Sequence, residues 1–272
     1  MPELPEVETT VRGLETVLKG RRLERVELRR GDLRRPFPAD LGQRLTGARV
    51  TGLGRRAKYG LIETDRGDTL VFHLGMSGRW RIDPGEIGAH DHLLLETDDG
   101  HRLSLNDPRR FGSLDLVATA ELGAWPPFAA LGPEPLGDAL SGTWLRERLA
   151  GRKAAIKLML LDQRIVAGLG NIYVCEALFR ARIDPRKAAG RVGRGKLDAL
   201  AGAIPAVLEE AIAAGGSSLR DFASPDGELG YFSKQFDVYG REGEACRGGC
   251  EGKVKRVVQG GRSTFFCTSC QK

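Results

Sequence analysis

The sequence predicts a multidomain α+β protein: an N-terminal two-sheet β-sandwich entered through one helix, then a helical domain ending in a cysteine-bearing β-hairpin. Three observations lead there. Short strand-like runs separated by turn signals fill roughly the first 120 residues, proline and glycine then take over from 121 to 140, and four cysteines in two close pairs sit near the end. Boundaries follow at 1–120 for the sandwich, 121–140 for a linker, 141–235 for the helical domain and 236–272 for the cysteine hairpin.

Taken in order, the first element is a helix over Val7 to Lys19, where apolar residues recur at helical spacing. The chain then breaks into ARVTGLGRRAKYGLIETD, TLVFHLG, GRWRID, HLLLETDDGHRLSLND and FGSLDLV, with Asp-Arg-Gly and Asp-Asp-Gly as connections between strands. Pro126, Pro127, Pro133 and Pro135 interrupt any periodicity and mark the linker. Beyond it Trp144, Leu145, Leu149, Ile156, Leu160 and Leu161 fall on helix faces, followed by helices over Ile172 to Arg182 and Lys196 to Ala214. Pro205 lies inside the last of these and is expected to kink it or mark a boundary.

Composition narrows the setting. The opening MPELPEVETT lacks the basic-then-apolar pattern of a secretory signal, and no run of about 20 apolar residues is present to span a bilayer. A cytoplasmic protein with no membrane partner is expected, and its five cysteines are then ligands, core or reactive groups before they are disulfides. The net charge of +6 is modest, but between Arg241 and Lys272 seven basic residues face three acidic ones. Such a distribution suits a polyanion, or equally a solvated basic tail.

Cys246, Cys250, Cys267 and Cys270 carry the strongest signal. Four thiolates suit one tetrahedral zinc, and because all four histidines lie far upstream the site would be all-cysteine, closed and structural. A redox pair or unliganded thiols are the alternatives. KVKRVVQGGRSTFF between the pairs reads as a hairpin turning at Gly260-Gly261, with Arg262 just past the tip. Cys175 stands alone on a helix and reads as a small buried hydrophobe. In QRIVAGLGNIYVCEALF a glycine-bearing turn joins two helices with Asn171 in the N-cap position, a geometry that can hold a phosphate but also occurs in ordinary cores.

The amino terminus has its own chemistry. Removal of Met1 would leave Pro2 with a free secondary amine beside Glu3; α-amino groups titrate near 7.7–8.0, and a following helix start would disfavour the ammonium further. A plain Pro-Glu helix start is the other reading.

MPELPEVET, RRAKYG around Lys58, HLGMSG around Met76, NDPRRFG around Arg109, GLGNIYVCEALF around Asn171, VYGREGEAC around Tyr239 and the four-cysteine end together resemble the bacterial formamidopyrimidine-DNA glycosylase family. The resemblance runs in order along essentially the whole chain. It implies a helix-two-turn-helix domain with a zinc-binding hairpin, a monomer acting on damaged double-stranded DNA, and a bacterial cytoplasmic enzyme that sits at the nucleoid when at work. It further implies that Pro2 attacks the anomeric carbon of an oxidised purine nucleoside such as 8-oxoguanine, that Glu3 is the acid at the sugar oxygen, and that Glu6 supports them. Lys58 would donate a proton in β-elimination and Arg262 would serve δ-elimination and phosphate contact. Met76, Arg109 and Phe111 would fill the void left by the everted nucleotide, and His90, Arg152, Lys157, Asn171 and Tyr239 would contact DNA. SSLRDFASPDGELGYF corresponds to the mobile loop that covers the everted lesion in that family.

One departure stands out: three residues separate Cys246 from Cys250 where the family has two, so Gly248-Gly249 must loop out for the sulfurs to converge. The endonuclease VIII type, with the same fold and nucleophile but a preference for oxidised pyrimidines, is the nearest rival, and the opening PELPEV and the Met76, Arg109, Phe111 set favour the purine-excising branch. A non-catalytic DNA-binding zinc protein would have no use for Pro2, Glu3 and Lys58, and an RNA-associated zinc protein leaves the amino terminus unexplained.

Overall fold

A computed structural model describes residues 2–217, 225 and 232–272. The first helix, α1 (Leu4–Leu18), starts three residues before the apolar periodicity does, because Pro5 suits a first turn and Glu3 with Glu6 forms a capping box. Val7, Val11, Leu14 and Leu18 make one buried stripe along it.

Eight strands follow: β1 (Leu23–Leu28), then after the short helix α2 (Leu41–Leu45), β2 (Val50–Arg56), β3 (Tyr59–Thr64), β4 (Asp68–His73), β5 (Arg79–Ile82), β6 (Asp91–Thr97), β7 (Arg102–Asn106) and β8 (Ser113–Ala118). They form two four-stranded antiparallel sheets, ordered β1-β6-β7-β5 and β2-β3-β4-β8. Gly67 and Gly100 close the two predicted turns at φ 74° and 92°, the left-handed region that only glycine enters freely. The α1 stripe joins Phe72, Trp80, Leu93, Leu95, Leu103 and Leu114 in one core. There Phe72 meets Trp80 edge-on at 5.5 Å, a pairing that contributes about 1 kcal/mol beyond its area.

After β8 comes a 3-10 turn over Thr119–Ala124 and the short α3 (Pro126–Ala129). The chain divides into two compact units, Met1–Ala129 with Ala214–Tyr231, and Ala130–Ala213 with Phe232–Lys272. The second unit contains α4 (Gly142–Leu149), α5 (Ile156–Leu160), α6 (Asn171–Arg180), α7 (Arg194–Ala213) and the hairpin β9 (Val254–Gln259) with β10 (Arg262–Cys267). Ser141 caps α4 by accepting the Trp144 N–H at 3.1 Å. Pro205 does not mark a boundary: α7 runs through it as one helix. A mid-helix proline costs about 3 kcal/mol, and the buried face of Leu197, Leu200, Ile204, Val207, Leu208 and Ala211 continues on both sides. Each of the five larger side chains contributes about 1.5–3 kcal/mol, enough to offset it. Among the described residues no helix is long and apolar enough to cross a membrane.

Candidate active site and metal centre

In the first unit the N-terminal corner is assembled by α1. Pro2 is buried immediately before the helix, Glu3 is only 3% exposed, and the Glu3 N–H donates to Glu6 Oε2 at 2.8 Å. The other Glu6 oxygen accepts both the N–H and the hydroxyl of Ser217, at 2.9 and 2.8 Å. Glu6 is therefore a joint between the start of α1 and residue 217, and its carboxylate orients the backbone of Glu3. Of the stretch expected to cover a lesion, only Ser217, Pro225 and Phe232 lie among the described residues.

Lys58, 8% exposed, lies on the turn between β2 and β3, where Ala57 adopts φ 53°. Arg55 bonds the Ala57 carbonyl and pairs with Glu8 of α1 at 2.9 Å. That ion pair ties the Lys58 turn to the first turns of the helix that carries Pro2 and Glu3. A positive helix end, a buried carboxyl and a lysine stem on neighbouring elements are the ingredients for an amine nucleophile with proton donors near it.

The three proposed void fillers sit on two adjacent turns, β4–β5 for Met76 and β7–β8 for Arg109 and Phe111. Phe111 is 47% exposed, with the Arg109 guanidinium 5.0 Å over its ring. A Cβ on Gly75 would come within 2.3 Å of the Phe111 carbonyl carbon, and Gly75 also holds φ 61°, so glycine alone allows the turns to touch. His90 is exposed on the loop before β6. Next to Phe111 a cleft of about 280 Å³ is lined by Arg34, Arg35, Tyr59, His73 and Ser113. His73 Nδ1 accepts the Gly75 N–H at 3.0 Å, which leaves the proton on Nε2. Burial first, then the charges of Lys58, Arg34 and Arg35, push its pKa down to about 4, so it is neutral at pH 7.

In the second unit Asn171 is the first residue of α6, with Gly170 at the cap position. The expected N-cap shifts by one because the Asn171 amide turns away from the helix: Nδ2 donates to the Ser263 carbonyl at 2.9 Å and the Tyr239 hydroxyl at 3.2 Å. Lys157 is fully buried, and its ammonium donates to Thr264 Oγ1 at 2.8 Å and the Ser263 carbonyl at 3.3 Å. Both residues thus grip the strand that begins with Arg262. Arg262 is exposed beside the tip, where Gly260 and Gly261 take φ 56° and 72° as a two-residue hairpin turn requires. Arg152 is exposed just past α4. Glu176, unremarked among the apolar residues of α6, is fully buried and accepts the N–H groups of Asp237, Val238 and Tyr239 at 2.8, 3.0 and 2.8 Å. Burial raises its pKa against the pull of those three donors.

The four cysteines converge. Their sulfurs all lie within 4.8 Å of one another, with Cys246 3.7 Å from Cys270, Cys250 3.6 Å from Cys267 and 3.2 Å from Cys270. A tetrahedron of bonds about 2.3 Å long has edges of about 3.8 Å, so the set fits one thiophilic metal ion. The longer first knuckle closes because Gly249 turns at φ 76°, while a Cβ on Gly248 would stand 2.9 Å from Cys270 Sγ. N–H groups of Gly248 and Gly252 point at Cys246 and Cys250 at 3.2 and 3.4 Å, the outer shell a thiolate site needs. Burial pushes the Cys246 thiol up to about 12, and the bond from Cys270 brings Cys250 down to about 7.

The chain thus combines a two-sheet β unit with a buried N-terminal corner and a helical unit that ends in a four-cysteine hairpin. The sequence profile of the formamidopyrimidine-DNA glycosylase N-terminal domain matches residues 1–114, and that of the formamidopyrimidine-DNA glycosylase H2TH domain matches residues 131–223. Formamidopyrimidine-DNA glycosylases of Novosphingobium aromaticivorans and Rhizorhabdus wittichii are each 70% identical over 272 residues, covering all of both chains. Among solved structures, a Lactococcus lactis FPG variant in complex with a Fapy-dG containing DNA superposes with a TM-score of 0.92 at 34% identity over the full length of both chains. The MutM (FPG) protein of Thermus thermophilus superposes at 0.88 with 39% identity, covering 99% of this chain and 98% of that one. The chain belongs to the formamidopyrimidine-DNA glycosylase family.

Proposed function

We propose that this protein removes oxidised purines, 8-oxoguanine and formamidopyrimidines, from duplex DNA through a covalent Pro2 intermediate and then nicks the strand by β,δ-elimination. The observation that carries the reading is the N-terminal corner, where Pro2 and the nearly inaccessible Glu3 precede a capped helix that is ion-paired to the Lys58 turn. Relatives crystallised with Fapy-dG DNA and with carbocyclic 8-oxo-G DNA support the purine class.

With Met1 removed, the Pro2 nitrogen lone pair bonds to C1′ as the base departs with the electrons of its glycosidic bond, and the proton shed by the Pro2 nitrogen neutralises the departing base. Glu3 protonates the sugar ring oxygen, the ring opens, and a C1′ iminium remains. Loss of a C2′ proton then expels the 3′ phosphate, with Lys58 supplying a proton near the leaving oxygen. A second elimination expels the 5′ phosphate, where Arg262 meets the developing charge, and hydrolysis frees Pro2. Arg109, Met76 and Phe111 fill the emptied stack, the guanidinium bonding the orphaned base. His90, Arg152, Lys157, Asn171 and Tyr239 serve the phosphates, Asn171 and Lys157 by holding the Arg262 strand. Cys246, Cys250, Cys267 and Cys270 hold one structural zinc, which supplies folding energy and takes no part in the chemistry. The protein acts as a monomer in the bacterial cytoplasm, at the nucleoid.

Incubation with a duplex carrying one 8-oxoguanine opposite cytosine tests this. The expected product is a gap bounded by phosphates on both sides, formed faster than from a matched duplex with an oxidised pyrimidine. The reverse preference would assign the endonuclease VIII specificity, and binding without cleavage would assign a recognition protein.

A further inference from the structure

Both turns that carry the void fillers hang from a single buried carboxylate. Asp107 is fully buried; its Oδ1 accepts the Ser77 hydroxyl at 2.6 Å, and its Oδ2 accepts the Gly112 N–H at 2.8 Å. Ser77 lies beside Met76, and its oxygen accepts the Arg109 N–H at 3.2 Å. The backbone of Asp107 extends the hub: its carbonyl takes the Arg110 N–H at 3.2 Å and lies 2.9 Å from His92 Nε2, and its N–H donates to the His90 carbonyl at 2.9 Å. Arg110 is held at φ 57°, a conformation that a non-glycine residue keeps only when its surroundings impose it. There is no room for slack on the facing side, since a Cβ on Gly112 would approach the His73 carbonyl oxygen to 2.8 Å.

Aspartate is suited to this position because an ionised carboxylate only accepts, and both donors that reach it come from different turns. Hydrogen bonds to a charged group are the strong ones, and removing one from a buried acceptor shifts an equilibrium by about 10- to 100-fold. Fillers as exposed as Phe111 and Arg109 gain nothing from a core, so their geometry before DNA arrives has to come from the backbone beneath them.

We infer that Asp107 and Ser77 are a positioning pair that locks the Met76 turn and the Arg109–Phe111 turn into one rigid wedge, so that all three fillers enter the duplex together. The inference rests on the proposed void-filling role of Met76, Arg109 and Phe111. Neither Asp107 nor Ser77 touches the reacting atoms; both act through the turns they join.

The test uses the full-length protein with Ser77→Ala and Asp107→Asn, each checked for an unchanged melting profile, on two substrates: a duplex with 8-oxoguanine opposite cytosine, and a single-stranded oligonucleotide with an abasic site, which has no stack to fill. Single-turnover excision from the duplex is expected to fall about tenfold or more, and nicking of the single strand to change less than about twofold. In a Met76→Ala/Phe111→Ala background, adding Ser77→Ala is expected to cost less than about twofold, because the wedge it aligns is gone. Equal losses on both substrates, unchanged duplex excision, or full additivity in that background would each overturn the wedge. If Met76→Ala/Phe111→Ala itself leaves duplex excision intact, the void-filling role falls, a pattern separate from failure of the positioning pair alone. Should Asp107→Asn fail to fold, Ser77→Ala decides by itself.

Discussion

The Pro2 corner and the cysteine cluster are both small polar assemblies, yet they are held in opposite ways. At the corner, Glu6 joins the Glu3 N–H to Ser217, 211 residues away in the chain, and Arg55 joins the Lys58 turn to Glu8, 47 residues away. The cysteines close over a span of 25 residues, through one hairpin and two glycine-lined knuckles. The corner is a product of the whole sandwich, whereas the cluster is brought together by local chain geometry. Chemistry that needs a nucleophile, an acid and a lysine to converge depends on tertiary structure; a closed metal site needs only spacing.

Removing the zinc proposed for the four cysteines probes that difference with the largest expected effect. Structural zinc at all-cysteine or mixed sites contributes about 10 kcal/mol or more to folding. Stripping it with a strong chelator is expected to abolish hydrogen-exchange protection over 236–272 and to abolish DNA binding, while the β2, β3 and β4 strands stay protected. Equal loss of protection in both places would remove the contrast.

Glu176→Ala comes next. It leaves three N–H groups, from Asp237, Val238 and Tyr239, without their acceptor, and leaving buried donors unsatisfied costs about 3 kcal/mol. A drop of that size in denaturant unfolding of the second unit is expected, together with weaker DNA binding through Tyr239. Stability within about 0.5 kcal/mol of wild type would mean that α6 does not anchor the segment leading to the cysteines.

His73 gives a smaller, pH-dependent effect. Its folded-state pKa of about 4 lies below the ordinary 6.5, so the stabilisation from keeping it neutral is complete above about pH 6.5 and is lost as pH falls toward 4. Stability is expected to decline by about 2 kcal/mol from pH 7 to 5 on this account, and His73→Gln to flatten that part of the curve. An unchanged pH profile in the variant would show that burial of the ring is not what sets the slope.

The sequence exposed what is local and periodic. The strand runs and their Asp-Arg-Gly and Asp-Asp-Gly turns, the long helices and the Gly260-Gly261 hairpin stand close to where the pattern places them. β1 escapes that reading because it stands at the end of its sheet, next to β6, and its LERVEL alternates charges in place of a clean apolar face. The start of α1 is set by caps that periodicity does not register. The sequence marks Glu3 only as the neighbour of Pro2, and Lys58 is singled out by the family resemblance alone. Lys157 shows the limit in the other direction: nothing in its local sequence signals full burial under Thr264. Asp107 and Glu176 did leave faint signals, an aspartate opening a Pro-Arg turn and a lone carboxylate in an apolar helix, both legible only once the partners are known.

The central claim is that the N-terminal corner supplies an amine nucleophile. Borohydride trapping on a duplex with one 8-oxoguanine opposite cytosine tests it most directly, run beside a Pro2→Gly variant and a form that retains Met1. The account predicts a covalent adduct that mass spectrometry maps to Pro2 and that disappears when Met1 stays in place. An adduct mapped to a lysine, or excision that proceeds undiminished with Met1 retained, would contradict it.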